Sequence, residues 1–319
     1  MQPLFIGGHP RSGTTLLGAM VGAHSDCICT PESQFKTRVL RHRSLQKTDD
    51  PDLRAAFSLI KKDWRFRIWN ISFPPGAFRE IHSYADLLLF LVQRFAEKNA
   101  REHPRLWVDH TPSNIKQENA SKLLELFPAG KFIHIIRDGR AVAASIIPLD
   151  WGANTIERAA HSWRKRVSQY CSIESELGPQ RVRRVLYEDL VREPEKTMRE
   201  LCSFLGISYQ TAMAGGKGFQ VPDYTAIQHS LIGSSPDRKQ IEAWRHLLSS
   251  RQVEIFESIA GNLLSSLGYH VMFKASPKKI RLSEKLASGM QEFYRGQIIN
   301  RIRGRQRIRQ GLASLQKNV

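Results

Sequence analysis

The segment Leu4-Phe5-Ile6-Gly7-Gly8-His9-Pro10-Arg11-Ser12-Gly13-Thr14-Thr15 limits what this chain can fold into more than any other. A short apolar run ending in glycines predicts a buried strand over Leu4–Gly7, then a loop, then a helix over Thr14–Val21. The N–H groups of such a turn, and the N-terminus of the helix after it, point at an anion. Gly8 and Gly13 have the G-x-x-x-x-G spacing of the nucleotide phosphate loop, but Thr14-Thr15 stand where a nucleoside triphosphatase has lysine and a hydroxyl residue. That lysine would reach the outer phosphates of ATP, and the hydroxyl would hold magnesium. The cation here is Arg11, inside the loop, a planar fork suited to phosphate or sulfate oxygens. The loop predicts an anion site that is not obviously one for Mg-ATP.

Further buried strands are expected at Leu106–Val108, Phe132–Ile136 and Val182–Leu186, each followed by a helical pattern: Ser113–Phe127, Gly139–Ile147 and Pro194–Leu205. A short second strand is expected ahead of Glu32. Strands alternating with helices imply an α/β fold of P-loop-like, three-layer type, with a central parallel sheet flanked by helices and ligands at the carboxyl ends of its strands. Residues 34–100 fit this rhythm poorly. They hold helical stretches, Leu53–Lys61 and Tyr84–Lys98, around the aromatic and proline-rich Trp64–Phe78, and read as a helical cap insertion able to shape an acceptor pocket. The expected division is one domain over 1–273 and a tail over 274–319.

The net charge of +18 favours anionic partners. It is unevenly placed: residues 271–319 carry twelve basic and two acidic residues, a net +10. After Pro277-Lys278-Lys279, the residues Leu282, Leu286, Met290, Phe293, Gln297 and Arg301 follow at spacings near four and predict a basic amphipathic helix. Such a helix suits a membrane surface or an acidic partner, or it is a charged extension with one face packed on the domain. No aromatic-interleaved basic patch or named nucleic-acid motif is present, so a specific nucleic-acid partner is not expected. Cys27 and Cys29 are too close to pair comfortably and lack the second half of a zinc site, so all four cysteines are expected as reduced thiols. The opening residues show no leader pattern, and no stretch approaches ~20 apolar residues. A cytoplasmic location, peripheral at a membrane if the tail binds one, is the expectation.

Pro10-Arg11-Ser12-Gly13-Thr14-Thr15, with Gly7-Gly8 before it and Leu16-Leu17-Gly18-Ala19-Met20 after it, resembles the 5'-phosphosulfate loop of sulfotransferases that use 3'-phosphoadenylyl sulfate (PAPS). The tyrosylprotein sulfotransferases and their bacterial relatives are nearest in motif, and the resemblance extends over roughly residues 3–270. It implies that Arg11, Ser12, Gly13, Thr14 and Thr15 hold the sulfate-bearing end of PAPS. It also implies that Arg137 and Ser145, eight residues apart in Ile136-Arg137-Asp138-Gly139-Arg140-Ala141-Val142-Ala143-Ala144-Ser145, hold the 3'-phosphate of PAPS and of the product PAP. Softer matches put Tyr187, in Tyr187-Glu188-Asp189-Leu190, near the adenine or in the core. They put Ser230, Arg238 and Lys239 on a late loop over the nucleotide.

Sulfuryl transfer needs a base for the acceptor hydroxyl and donors for the charge that grows on the transferred group. The resemblance implies Glu32, in Thr30-Pro31-Glu32-Ser33, as the base, with Arg11 serving the transferred group. Relatives carry a lysine where this chain has His110, in Asp109-His110-Thr111-Pro112, so His110 is expected to donate to the sulfuryl oxygens or to act as an alternative base. His9, His24 and His134 read as structural. No His/Cys/Asp/Glu group has metal-ligand spacing, and the reaction requires no metal. The acceptor is left open among tyrosine, carbohydrate and small molecules, with acidic ones favoured by the charge. A P-loop kinase and a non-catalytic anion- or glycan-binding module are the alternatives.

Overall fold

The computed structural model describes residues 1–41, 52–73, 81–222, 237–273 and 277–317. Five strands form one parallel sheet: β1 Gln2–Gly8, β2 Cys27–Thr30, β3 Leu106–Asp109, β4 Lys131–Ile136 and β5 Val182–Leu186, in the order β2-β3-β1-β4-β5. The four expected strands and the short one before Glu32 are all present. Nearly every residue of β1 to β4 is buried, as a sheet covered on both faces requires.

Alternate residues of each strand feed two cores. Leu4 and Ile6 of β1 pack with the helix Thr14–Val21 and the helix Pro194–Leu205 on one face. Phe5, Ile28, Trp107 and Phe132 pack on the other against the helices Tyr84–Lys98 and Gln117–Leu126. A third cluster joins Gly139–Ile146, Ile156–Leu177 and Ser250–Ser266 around Trp163 and Phe256. The helix Tyr84–Lys98 is therefore a crossover helix of the sheet itself. Phe35, Phe66 and Trp69, from the same segment expected to be a cap, are buried in this core as well, and Trp69 meets Phe95 of that helix at 5.3 Å between ring centroids.

The pattern Ser113–Phe127 splits in two. A 3-10 turn over Pro112–Ile115 is separated from the helix Gln117–Leu126 by Lys116, which is extended at φ −72°, ψ 135°. Tertiary bonds set the break: the Asn114 side-chain amide donates to the Ile6 carbonyl at 3.1 Å and to the Asp109 carbonyl at 3.0 Å. The 22-residue helix Ile156–Leu177 was hidden in the sequence by its many charges, and its buried stripe of Ile156, Ala159, Ala160, Trp163, Val167, Tyr170 and Ile173 is evident only once packed. The basic tail is helical as expected, over Leu282–Tyr294 and Asn300–Lys317 with a π-helical turn, Arg295–Ile299, between them. Among the described residues no helix is long and apolar enough to cross a membrane.

Candidate active site

The chain leaves β1 toward β2 at one edge and leaves β4 toward β5 at the other. Since β1 and β4 are neighbours, a crevice opens between their carboxyl ends, the place where open α/β sheets bind ligands. The loop after β1 carries Arg11 and the loop after β4 carries Arg137.

The first loop begins as a tight turn in which Ser12 N–H donates to the His9 carbonyl at 3.0 Å. Pro10 supplies the fixed φ such a turn needs at its second position. Arg11, third, sits at φ 71°, where glycine is the usual occupant. Holding arginine in the left-handed region costs about 1–2 kcal/mol, so something other than turn geometry retains it there. Gly13 follows at φ 100°, and a Cβ on it would come within 2.6 Å of Tyr187 Cδ2. It opens the helix Thr14–Val21 with no side-chain cap over the first N–H groups. Ser12 Oγ is buried with no hydrogen-bond partner among the described residues.

The Arg11 Nε donates to Ser145 Oγ at 3.0 Å, and Arg137 Nη1 donates to the Arg11 carbonyl at 3.3 Å. The two predicted phosphate sites thus converge on one crevice, and Ser145, paired with Arg137 by sequence, bridges to Arg11. Burial, and after it the charge of Arg137, push the Arg11 guanidinium below its ordinary value. Two neighbouring guanidinium groups are unfavourable by themselves and favourable around a shared anion. With an uncapped helix start after Gly13, and a Ser12 hydroxyl and an Arg137 Nε that are buried with no partner among the described residues, the crevice fits a phosphate- or sulfate-bearing group.

Behind Arg137 lies a scaffold the sequence did not announce. Trp163 Nε1 donates to the Arg137 carbonyl at 3.2 Å, and Asp138 N–H donates to Glu188 Oε1 at 3.0 Å. Arg140 is buried between Asp138 and Glu257, each 2.6 Å away, with its guanidinium over the Trp244 ring. Tyr187 lies beneath Arg137, whose guanidinium is 4.1 Å from the ring centroid, and its edge faces Gly13. At 6% exposure Tyr187 is buried and ties the two loops together. Arg137 Nη2 also donates to the Gln240 carbonyl at 2.8 Å, so the late loop meets the site through its backbone. The exposed Arg238 is turned to the Arg192 carbonyl at 2.7 Å, and Lys239, also exposed, opens a helical turn. Ser230 lies outside the described residues.

Glu32 follows β2 and is partly buried. Its carboxylate accepts from Gln34 Nε2 at 2.7 Å. Burial raises it from 4.5 to about 7 against the opposing charges of Arg65, Lys36 and Arg11. The neighbouring Ser33 is pinned: its N–H donates to Thr111 Oγ1 at 2.9 Å and its hydroxyl donates to Asp109 Oδ2. Asp109 is paired at 3.0 Å with the fully buried Lys36, which holds its carboxyl down at about 2 in spite of burial. Lys36 Nζ donates on to Asn114 Oδ1 at 2.7 Å. Sequence reasoning missed this lysine because nothing in Gln34-Phe35-Lys36-Thr37 marks a buried cation.

His110 is not part of this arrangement. It is 2% exposed, with its ring 4.9 Å from that of Phe219 and its Cβ so near Gly18 that a Cβ there would lie 2.9 Å away. Burial lowers its pKa to about 4, so the ring is neutral, and neither ring nitrogen has a partner among the described residues. A charge-donating role does not fit such surroundings. His9 and His24 serve as structural bridges, to the Pro10 carbonyl at 2.8 Å and to the Ser208 carbonyl at 2.9 Å. Folding brings His134, Cys171 and Glu174 together with ligand atoms within 4.8 Å, although sequence spacing gave no hint of it. That trio suits a cation poorly, because the Arg184 guanidinium already lies 3.0 Å from Glu174 and 3.7 Å from Cys171 Sγ.

Fold and crevice together define a phosphate-loop α/β protein with two neighbouring guanidinium groups between the carboxyl ends of β1 and β4. The chain belongs to the sulfotransferase family, whose model matches residues 3–211. Among curated relatives, it is 31% identical over 219 residues to a protein-tyrosine sulfotransferase of Drosophila melanogaster, covering 67% of this chain and 40% of the relative. It is 31% identical over 211 residues to protein-tyrosine sulfotransferase A of Caenorhabditis elegans, covering 65% of this chain and 50% of the relative. The chain spans about half the length of such relatives or less. Among solved structures, the sulfotransferase domain of the Synechococcus PCC 7002 olefin synthase superposes with a TM-score of 0.59 at 24% identity, covering 84% of this chain and 94% of that one. The sulfotransferase domain of the curacin biosynthetic pathway superposes at 0.56 and 20% identity, covering 85% and 98%. These two establish likeness of fold.

Proposed function

We propose that this protein transfers a sulfuryl group from PAPS to an acceptor hydroxyl. The observation that carries the reading is the convergence of Arg11 and Arg137 on one crevice, with the charge of Glu32 within electrostatic reach of Arg11. In this reading Arg11, the Ser12 hydroxyl and the amides of Gly13, Thr14 and Thr15 receive the phosphosulfate end. Arg137 and Ser145 receive the 3'-phosphate. Glu32 takes the acceptor proton as the new O–S bond forms and the bond from sulfur to the 5'-phosphate oxygen breaks, with PAP leaving. A carboxyl at about 7 is well matched to that task near neutrality.

Tyrosine in a peptide is the acceptor favoured by the names of the relatives, and the net charge of +18 favours one flanked by carboxylates. The catalytic unit in this reading is residues 1–273. The test is transfer of labelled sulfate from PAPS to panels of tyrosine peptides, glycans and phenols. Label on acidic tyrosine peptides is expected; no transfer to any acceptor, with PAP still bound, would leave an anion-binding module instead.

A further inference from the structure

The tail helix packs the wrong way round for an ordinary surface helix. Its polar side faces the domain: Glu292 Oε1 accepts from the N–H groups of Asn154 and Thr155 at 2.7 and 2.8 Å, and Ser288 Oγ meets Thr155 Oγ1 at 2.9 Å. Glu284 is paired with Arg251 at 2.7 Å, and Asn300 Nδ2 donates to Asn154 Oδ1 at 2.9 Å. Its apolar side faces outward. Leu282, Leu286, Met290 and Phe293 are 74, 62, 75 and 69% exposed, and Ile298 and Ile302, past the π-helical turn, continue at 46 and 54%. Six large apolar side chains along one exposed face mark a surface awaiting a partner.

The charges around that face say which partner. Glu284 and Glu292 are the two acidic residues of 271–319, and both are turned inward into the contacts above. The cations are mostly outward: Lys278, Lys279, Arg281, Lys285, Arg301 and Arg303 are all exposed. A second copy of this chain would bring like charges together along the same stripe. We propose that the outward face of the helix Leu282–Tyr294 and its continuation binds an anionic lipid bilayer, with the apolar stripe entering the acyl boundary and the flanking lysines and arginines meeting the headgroups. The polar side stays bound to the 148–155 segment, so the domain is held at the surface without unfolding its tail.

The test is co-sedimentation of the full chain with vesicles of phosphatidylcholine alone and of phosphatidylcholine with phosphatidylglycerol. Partitioning onto the anionic vesicles is expected to exceed that onto neutral ones by at least about tenfold, since each surface cation supplies roughly a fivefold factor and several flank the stripe. The triple variant Leu286→Ser, Met290→Ser, Phe293→Ser is expected to lose about tenfold or more of that binding while keeping its melting temperature, because a bilayer contact of this kind scales with buried apolar area. Equal partitioning onto both vesicles, or a triple variant that binds like its parent, would overturn the proposal. So would a dimer by light scattering that the triple variant dissolves, with no vesicle binding by the parent, which would give the face to a second copy.

Discussion

Replacing Glu32 by glutamine separates the chemistry of the site from its stability. Burial lifts this carboxyl from 4.5 to about 7. The folded protein therefore prefers the protonated form, and its contribution to stability is full below about 4.5 and is lost as pH rises through about 7. At 1.36 kcal/mol per pH unit the shift corresponds to about 3 kcal/mol, and partial access of water lowers the expected effect to about 1–3 kcal/mol. Glu32→Gln removes a charge that folding disfavours and keeps the side chain's shape. The variant is expected to gain stability over its parent between pH 5 and pH 8.5, by about 2 °C in melting temperature per kcal/mol for a domain of this size. Turnover moves the other way: a lost general base lowers it by about 100-fold or more, while PAP affinity is retained. In the parent, turnover rises with pH as Glu32 deprotonates, with a midpoint at or above about 7, because a bound anion adds negative charge nearby. The assays are thermal melts at the two pH values and transfer of labelled sulfate. A melting difference independent of pH would refute the burial argument, and an active glutamine variant would refute the base.

Arg11→Ala and Arg137→Ala should each weaken PAP binding by about tenfold to 100-fold, read by calorimetry, as expected for charge-assisted hydrogen bonds. Gly13→Ala should destabilise the protein by about 1–3 kcal/mol and impair PAP binding, because its φ of 100° and the nearness of Tyr187 leave no room for a Cβ. Lys36→Met should cost about 3–5 kcal/mol in denaturant melts by leaving Asp109 buried without its cation. His110→Leu should leave turnover near that of the parent, and a selective loss of turnover in a folded variant would return the histidine to the chemistry.

What the sequence determined by itself was local. Strand, glycine turn and helix over residues 2–21 are set by a short apolar run, by the glycines that follow it and by an apolar helical stretch, all within one stretch of chain. The Arg137 loop and the strands at 131–136 and 182–186 were readable for the same reason. Tertiary structure decided what depends on neighbours far apart in the chain. The strand order sets Arg11 beside Arg137, and the Asn114 bonds break a helix that looked continuous. Lys36 became a buried partner of Asp109, whereas His110, which motif position favoured, became a buried ring packed between Gly18 and Phe219. The tail shows the limit most plainly: its periodicity predicts a helix with an apolar side, but periodicity cannot say which side turns inward. That choice was made by Asn154 and Thr155, whose unsatisfied backbone groups take Glu292 and leave the apolar stripe outside.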